Sequence, residues 1–446
     1  KLLGLKQGQV RFAGTKDKRG VTTQALTVPY TEPKRAAGIN AKLIGLRIGN
    51  FSAVNKHLHL GELHGNRFQV ILRDIQLQPN AFFPGKPERV AIDMDDKPET
   101  TISTIYEACE RFSSSGFINY YGMQRFGTGL VRTHMVGLEC LRGDWKQVVQ
   151  LILKPRGGER QDATRAREHY ANTGSASETL KMLPKFMLNE RQVLQGLSDH
   201  PTDFKGAFLR LARPMRLMYP HAYQSYIFNM AASKRIELYG YKVVVGDLVV
   251  LDPLSINQQD EDVSALESDA IGDVADEKSA KDASLANVKV VQTEAEAASL
   301  SMSQVVLPLP GARVQLPNNE IGDYIRALLK QDGLDLSFKD DREFHLDGDY
   351  RPLIVRPSDF SFKAIRYNNP DGELIQTEED AILQEQGRPA KQLEVVEDGA
   401  RVALHLQFSL PSSAYASCLV RELVKQPLDQ GFLRETQMVV PKNGAS

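Results

Sequence analysis

The sequence contains few cysteines. Cys109, Cys140 and Cys418 are the only ones among 446 residues, and they lie far apart in the chain. An odd number of widely spaced cysteines does not form the dense disulfide framework that stabilises many small secreted domains. We therefore expect reduced, buried cysteines in an intracellular protein and exclude the disulfide-rich secreted class.

Long hydrophobic runs are also absent. A membrane-spanning helix needs about 20 consecutive apolar residues, and no stretch of the sequence approaches that length. Hydrophobic residues make up 41% of the chain and charged residues 25%, which is typical of globular proteins. The sequence therefore predicts no membrane partner. At 446 residues the chain exceeds the usual size of a single core, so two or more folded units are expected.

A recognisable leader segment is missing as well. Lys1 is not an initiator methionine, and the residues that follow it already have the composition of a folded domain. We expect further sequence to precede Lys1.

A strong net charge is absent overall, since the formal charge of the chain is −1. One segment departs from this balance: residues 256–304 contain eleven acidic residues, three basic residues and no aromatic residue. A segment with so little to bury is predicted to be a disordered acidic insertion. Its net charge of −8 leaves +7 for the rest of the chain. The folded part is thus predicted to be basic, as binding to a polyanion requires.

Hydrophobic periodicity alternates between helix and strand in the rest of the chain. Ile102, Ile105, Cys109 and Phe112 recur at helical spacing after Thr101, a plausible helix cap. Together with runs of strand periodicity, this pattern predicts an α+β protein. The predicted elements are a helix at 101–113, strands at 65–73 and 401–410, a hairpin at 241–251 with its turn at 246–247, and a helix at 414–425.

A charged segment near the start of the chain carries the first candidate catalytic residue. Asp17 is flanked by Lys16, Lys18 and Arg19, and glycines on either side allow close approach to a ligand. Neighbouring cations favour the ionised carboxylate, which is a poor proton donor but a usable nucleophile at a glycosidic carbon. The pattern is therefore compatible with nucleophilic chemistry on a polyanion.

Two other interpretations of this segment stay open. Composition alone favours an exposed turn with solvated charges. Residues 14–16 also bear a faint likeness to a phosphate-binding loop, but the spacing that such a loop requires is absent. A nucleotide-hydrolysing enzyme is accordingly a remote alternative.

A second candidate cluster lies at residues 116–127. It combines aromatic rings on which a base can stack, amides that can hydrogen-bond base edges, and a cation that attracts phosphate. These side chains belong to Asn119, Tyr120, Tyr121, Gln124, Arg125 and Phe126. A flipped-out uridine would need all three kinds of group. Aromatic residues after a helix are also common in cores, although the glycines of this segment interrupt regular structure.

For two further groups of residues, a structural explanation is at least as good as a functional one. His57 and His59 would share one face of a strand, with His64 nearby, but no Cys or carboxylate lies at metal-ligand spacing. We predict a solvated face and no metal site. The aromatic-rich residues 219–229 open a predicted helix, where packing and capping explain them as well as base stacking does.

Taken together, these segments form a recognisable series along the chain. In order they are GTKDKRGVTTQ at 14–24, NRF at 66–68, NYYGMQRFG at 119–127, YPHAYQSYIFN at 219–229, VVLPLPG at 305–311 and GDYR at 348–351. In the residues of these segments and in their order, the chain resembles the TruD family of RNA pseudouridine synthases. The Tyr120-Tyr121 pair points to the eukaryotic Pus7-like branch of that family. The resemblance covers nearly the whole chain except the acidic insertion.

The resemblance implies a pseudouridine-synthase fold with a curved mixed sheet, interrupted by an inserted TRUD domain. The first part of the catalytic domain is expected at 1–127 and its second part at 346–446. The inserted domain is expected at 128–345 and includes the acidic segment at 256–304.

The resemblance also assigns roles to individual residues. It implies that Asp17 is the catalytic nucleophile, that Asn119 helps to position the aspartate and the base, and that Tyr121 or Tyr120 stacks on the target. Further residues that it places at the RNA are Lys16, Gln124, Arg125, Phe126 and Arg351.

The implied activity is isomerisation of uridine to pseudouridine in RNA, with the target base flipped out of its stack. The implied substrates are tRNA, with position 13 as the family expectation, and also pre-tRNA, U2 small nuclear RNA and messenger RNA. The reaction needs no metal, nucleotide or redox cofactor. We expect a monomer in the nucleus and cytoplasm without an obligate protein partner. A covalent adduct of Asp17 and a glycal route both stay open, as does an RNA-binding module without catalysis.

One departure from the family pattern concerns the start of the chain. A conserved upstream strand and an active-site lysine of the family are expected before Lys1. We therefore expect the catalytic domain to be incomplete at its N-terminal side, and activity to rise when the upstream segment is supplied.

Overall fold

The protein is described by a computed structural model. It covers residues 2–16, 20–59, 61–75, 98–127, 129–251, 287–338, 344, 346–385, 389 and 391–424. The chain forms two compact units, and each unit consists of two separate stretches of the sequence. The first unit comprises 1–115 with 357–412, and the second comprises 116–356 with 413–446. The predicted domain limits at 127 and 345 stay a prediction, because compactness alone does not define a domain inserted during evolution.

The first unit is built on a three-stranded antiparallel sheet. In spatial order its strands are β10 (Ser358–Tyr367), β11 (Arg401–Pro411) and β3 (Gly65–Leu72). A short ribbon pairs β1 (Arg11–Phe12) with β2 (Leu26–Thr27). The helices are α1 (Pro33–Gly38), α2 (Pro98–Ser115) and α13 (Glu378–Glu385).

Helix α2 packs on one face of this sheet. Cys109 and Phe112 on its apolar stripe are buried, and the ring of Tyr106 lies 5.3 Å from that of Phe362 on β10. The periodic spacing of apolar residues explains why this stretch is a helix with one buried face. The prediction of a helix at 101–113 is confirmed, as are the strands predicted at 65–73 and 401–410.

The second unit is mainly helical and carries a four-stranded antiparallel sheet. Its strands lie in the order β6 (Val288–Val290), β5 (Leu248–Val250), β7 (Val305–Leu309) and β8 (Asp349–Pro352). A separate ribbon pairs β4 (Phe117–Ile118) with β9 (Ile354–Val355). The longer helices are α4 (Thr133–Arg142), α5 (Trp145–Leu153), α6 (Gln161–Thr173), α8 (Leu188–Asp199), α10 (Arg213–Tyr239), α12 (Glu320–Gln331) and α14 (Ala416–Val424). The shorter helices are α3 (Met123–Phe126), α7 (Ala176–Met182), α9 (Phe204–Leu209) and α11 (Glu294–Ser299).

Helix α10 is the central element of the second unit. Its residues Tyr223, Ile227 and Phe228 belong to the largest apolar cluster, which also contains residues of β7 and α12. This helix begins at Arg213 and contains all of the aromatic-rich residues 219–229, and Tyr223 and Phe228 among them pack in the core. α10 therefore provides a rigid support for the segment that follows β4.

Close contact between α4 and α10 depends on a glycine. A Cβ atom at Gly137 would lie 2.0 Å from the carbonyl oxygen of Tyr219, a distance that backbone atoms do not tolerate. Substitution of Gly137 by alanine is expected to push the helices apart and to lower the free energy of unfolding by about 1–3 kcal/mol. Urea denaturation measures this effect. Gly38→Ala is the matched control, because nothing lies within 4 Å of its Cβ position. An equal effect of both substitutions would contradict the packing argument.

The α+β class predicted from the sequence is confirmed by this mixture of helices and sheets. Every strand pair in the described ranges is antiparallel, so the parallel pairing expected of a mixed sheet is not seen among them. Within the same ranges, each helix is too short or too polar to cross a bilayer.

The predicted hairpin at 241–251 is wrong. Only its second arm is a strand, β5, which pairs with β6 and β7 instead. The preceding residues wrap around Arg235, whose buried guanidinium donates to the carbonyl oxygens of Gly240 and Lys242. Arg235 also forms a buried ion pair of 2.6 Å with Asp247. A fully buried charge must be paired and hydrogen-bonded, and here that requirement overrides the alternating pattern.

The predicted disorder of 256–304 is wrong for its last part. Residues 256–286 lie outside the described residues, but 287–304 form β6, α11 and a 3₁₀ turn. Val291 and Ala297 are buried, and the Thr293 side chain accepts a hydrogen bond from the N–H of Glu296 at the start of α11. A few well-placed apolar residues and a cap therefore outweigh the acidic composition.

Two smaller predictions need correction. His57 and His59 lie in irregular chain rather than on a strand. Across the described part of the chain, no three His, Cys, Asp or Glu side chains are grouped so that they could hold a metal ion. The helix predicted from 414 begins two residues later, at Ala416, and is otherwise confirmed as α14.

Candidate active site

The predicted nucleophile, Asp17, lies outside the described residues, together with Lys18 and Arg19. The residue before it is described. Lys16 lies in the connection from β1 to β2, and its ammonium group donates a short hydrogen bond to Oδ1 of Asn66. Asn66 is held on β3 opposite Leu410 of β11. The chain is therefore tied to the sheet of the first unit directly before Asp17.

Backbone geometry supports both ends of this connection. The N–H of Gly61 donates to the carbonyl oxygen of Ala13 at 3.0 Å, which fixes the chain just after β1. Gly20 has a φ of +123°, a conformation that residues with a side chain rarely adopt. The glycine beyond Asp17 is thus required by the path of the backbone.

Asn119 occupies a fully buried position in the second unit. Its backbone N–H donates to the carbonyl oxygen of Leu353 at 2.9 Å, and its side-chain Nδ2 donates to that of Pro352 at 3.2 Å. A buried amide without partners would be costly. Here both ends of the amide are used, because its Oδ1 accepts from Arg351.

Arg351 connects three segments of the second unit and is only 3% exposed. Its Nε donates to the carbonyl oxygen of Asn119 at 3.0 Å, and one Nη donates to Asn119 Oδ1 at 2.8 Å. The same Nη donates to the carbonyl oxygen of Ser413 at 2.6 Å. The guanidinium carbon lies 4.1 Å from the centre of the Tyr121 ring, in cation–π geometry. This arginine thereby fixes both the backbone before Tyr121 and the ring itself.

A single amide side chain binds both polar backbone atoms of Tyr121. Asn229 on α10 accepts from the N–H of Tyr121 at 2.8 Å and donates to its carbonyl oxygen at 3.0 Å. The ring is 8% exposed and packs edge-on against Phe228 and Tyr415. The predicted base-stacking role of Tyr121 stays a prediction. What the geometry provides is a tyrosine whose position is fixed from several sides.

Tyr120 is half-buried, and its contacts differ from those of Tyr121. Its hydroxyl shares a hydrogen bond of 2.9 Å with that of Ser233, and Arg421 of α14 lies over its ring at 5.1 Å. Burial raises the pKa of Tyr120. The Cys418 thiol donates to the Tyr120 carbonyl oxygen, and burial raises the pKa of that thiol, which keeps it in the donating form. Tyr120 is thus coupled to α14.

The remaining predicted residues divide into exposed and buried ones. Gln124 is exposed on α3. Arg125 and Phe126 are buried: Arg125 donates to the Ser225 hydroxyl at 3.1 Å, and Phe126 packs edge-on against His134. Contact of these residues with RNA stays a prediction. Of the three, only Gln124 has a side chain largely open to solvent.

The structure adds partners that sequence reasoning did not assign. Asn66 holds Lys16, Asn229 holds Tyr121, and Cys418 holds Tyr120. Asn66 and Asn229 lie in segments that resemble the family, and this resemblance is the sequence feature that could have identified them. Their roles depend on pairing with residues that are distant in the sequence.

Taken together, residues 119–121 form a segment whose carbonyl oxygens are all bound by side chains. The donors are Arg351, Cys418 and Asn229. Such a segment is preorganised and reorganises little when a ligand binds. Its own side chains are an amide and two tyrosine rings, and buried Arg351 lies against the first of these residues.

The sequence is similar to known proteins along almost its whole length. The family model for tRNA pseudouridine synthase D (TruD) matches residues 1–423. The multisubstrate pseudouridine synthase 7 of Schizosaccharomyces pombe is 35% identical over 99% of this chain and 62% of its own length. The human pseudouridylate synthase 7 homolog is 34% identical over 98% of this chain and 57% of its own length.

A solved structure agrees at the level of fold. A crystal structure assigned to tRNA pseudouridine synthase D of Methanosarcina mazei covers 95% of this chain, and the match spans 83% of that protein. The TM-score is 0.65 and the identity 24%, so the likeness concerns the fold alone. The chain spans roughly three-fifths of the length of the curated relatives named above. Because the family model matches nearly all of the sequence, the chain belongs to the TruD family of tRNA pseudouridine synthases.

Proposed function

We propose that this protein isomerises uridine to pseudouridine in RNA and that Asp17 is the nucleophile. The observation that carries the proposal is the family match over residues 1–423, which includes both the Asp17 segment and residues 119–127. Relatives named as pseudouridine synthases match almost the entire chain as well.

The proposed reaction is an isomerisation, so atoms and electrons balance without a second substrate. The N1–C1′ bond of uridine breaks and a C5–C1′ bond forms. The hydrogen on C5 leaves as a proton, and N1 takes up a proton. No external oxidant or reductant is required.

The role proposed for Asp17 follows from the chemistry of a carboxylate. As an anion it can attack an electron-poor carbon or remove a proton from the sugar on the route to a glycal. Lys16, the residue before the proposed nucleophile, donates a side-chain hydrogen bond to Asn66 on β3. A catalytic group that is held in position lowers the entropic part of the barrier, and this anchor beside Asp17 supports the proposal.

The role proposed for residues 119–121 is to present a fixed aromatic surface to the flipped base. Tyr121 is the proposed stacking residue. Arg351 and Asn119 are proposed to act by positioning, since both are buried in contacts with the protein. Arg125 and Phe126 are proposed to support the same segment, and exposed Gln124 to contact the RNA directly.

The substrates proposed are those named for the family and its eukaryotic branch. They are tRNA with uridine at position 13, together with pre-tRNA, small nuclear RNA and messenger RNA. The protein is proposed to act on them as a monomer in the nucleus and cytoplasm.

Tritium release tests the proposed activity. The purified protein is incubated with a tRNA transcript that carries tritium at C5 of every uridine. Formation of pseudouridine sends the C5 hydrogen to water, so we expect release of about one equivalent per transcript with uridine at position 13. A transcript with cytidine at that position should release none. Tight binding of the transcript without tritium release would instead indicate an RNA-binding module without catalysis.

A further inference from the structure

The three-stranded sheet of the first unit has two chemically different faces. Phe360, Phe408 and Phe68 lie on the face that packs against α2, where their rings contact one another. Successive residues of a strand point to opposite faces. The alternate residues of β10, β11 and β3 therefore share the second face, which α2 does not cover.

One end of this second face is covered by the chain itself. Ile365, Tyr367 and Ala403 are buried there, and Ile71 and Leu374 pack against them. Residues after β10 thus close the apolar end of the face.

The other end of the face carries only polar side chains. Register places Ser361 beside Gln407 and Gln407 beside Gln69, while Lys363 lies beside His405. We call this set, with Arg67 and Ser409 at its margin, the open polar face. Ser361, Lys363, Gln69 and Arg67 are exposed.

The open polar face contains a depression with a volume of about 200 Å³. Its lining includes Ser361, Lys363, His405 and Gln407. Within the described structure, Nε2 of His405 is shielded from solvent and has no hydrogen-bond partner. The depression therefore combines a cation and an amide with a histidine whose Nε2 is shielded from solvent.

The charge of the open polar face is mostly of one sign. An ordinary solvent face of a sheet mixes acidic and basic residues. Here Arg67 and Lys363 have no acidic partner among the described residues. The acidic residue at the margin is Asp359, which accepts a hydrogen bond from the Ser409 hydroxyl at 3.0 Å. Cations without partners, interspersed with amides and hydroxyls, are the groups that contact phosphate and ribose.

We infer that the open polar face binds the ribose–phosphate backbone of the RNA substrate. This inference rests on the proposed function, because it takes RNA as the ligand. Arg67 and Lys363 stand on the two outer strands, two register rows apart. Strand geometry separates their Cα atoms by roughly 16 Å, so the two cations contact different phosphates. The amides of Gln69 and Gln407 lie between them and serve as hydrogen-bond partners for the sugar.

Removal of both cations tests the inference. We compare the natural protein with a double variant, Arg67→Gln with Lys363→Gln, for binding of an unmodified tRNA transcript at several KCl concentrations. Each lost phosphate contact is expected to reduce the slope of log affinity against log salt by about 0.7. The double variant should therefore lose about 1.4 in slope and bind about tenfold more weakly at physiological salt. The rate at subsaturating RNA should fall by the same factor as the affinity.

Two control variants separate this effect from general loss of charge or fold. Lys146→Gln with Lys330→Gln removes the same charge from exposed positions of the second unit and should leave the slope unchanged. Arg67→Lys with Lys363→Arg keeps both charges on the open polar face and should retain wild-type affinity. Equal weakening by the two double glutamine variants would overturn the inference.

Asp359 provides a test with the opposite sign. Its φ is +50°, a conformation that asparagine also tolerates. Asp359→Asn removes the acid at the margin of the open polar face without a change of shape. RNA affinity should rise about threefold at low salt and by less at high salt. Unchanged or weaker binding would count against the inference.

Failure of the inference can be told apart from failure of the proposed function. If the natural protein releases tritium, but the Arg67→Gln and Lys363→Gln variant binds RNA as tightly as the natural protein, only the role of the open polar face is overturned. Absence of both tritium release and RNA binding in the natural protein would overturn the proposed function itself.

Discussion

Replacement of Asp17 by asparagine is expected to lower the rate of pseudouridine formation by about 10⁴-fold or more. Asparagine has nearly the same size, but its neutral amide is a far weaker nucleophile and base than a carboxylate. The substitution also removes a negative charge close to Lys16. RNA affinity should therefore be kept or slightly increased while turnover is lost. Single-turnover tritium release together with a binding titration measures both quantities.

The matched control for this substitution is Asp398→Asn. Asp398 is an exposed acid in the same unit, and its replacement should leave both rate and affinity unchanged. Normal turnover by the Asp17→Asn variant would remove Asp17 from the mechanism. An isotope effect on turnover from deuterium at C2′ of the target would favour the glycal route over attack on the base.

Replacement of Arg351 by methionine should have the second largest effect. Methionine fills a similar volume but leaves Asn119 Oδ1 and the carbonyl oxygens of Asn119 and Ser413 without their donor. Each buried group left unsatisfied costs about 1–3 kcal/mol. We expect a loss of about 3–5 kcal/mol in the free energy of unfolding. Turnover should fall about 100-fold at temperatures where the variant is folded.

Two measurements show whether Arg351 acts by positioning the 119–121 segment. Arg351→Lys keeps the charge but cannot make the same three hydrogen bonds, so it should restore turnover only in part. Arg326→Met serves as the control, because that arginine is 56% exposed in a surface ion pair and should change stability by less than about 1 kcal/mol. Full turnover by folded Arg351→Met would contradict the positioning role.

Local patterns predicted the local elements of this fold. The stripe of Ile105, Cys109 and Phe112 predicted α2, and the alternation of apolar and polar residues predicted β3 and β11. Both patterns work because the residues on the buried face of an element lie close together in the sequence. The hairpin failed for the opposite reason. Arg235 lies outside the predicted hairpin, yet its buried pairing with Asp247 determines the path of residues 240–247.

Composition misled in the acidic segment. Counting acids and aromatic residues missed Val291 and Ala297, whose burial orders residues after 287. Burial depends on what the rest of the chain presents to a residue, and a composition count does not contain that information.

The sequence predicts which residues belong to the candidate site. It does not predict the hydrogen bonds that hold them in place. Asn119, Tyr121 and Arg351 were identified by their resemblance to a family. No local pattern indicates that Arg351 binds Asn119 across 232 residues, or that Asn229 binds both polar backbone atoms of Tyr121 across 108. Hydrogen bonds between distant residues leave no periodic signal, so only the three-dimensional structure identifies them.

Mapping of pseudouridine at nucleotide resolution in cellular RNA tests the central claim most directly. RNA is compared from cells that carry either the natural protein or its Asp17→Asn variant at the same level. We predict that pseudouridine at position 13 of tRNA is present with the natural protein and lost with the variant. Equal pseudouridine at every mapped position in the two cell lines would contradict the claim that this protein is a uridine isomerase with Asp17 as its nucleophile.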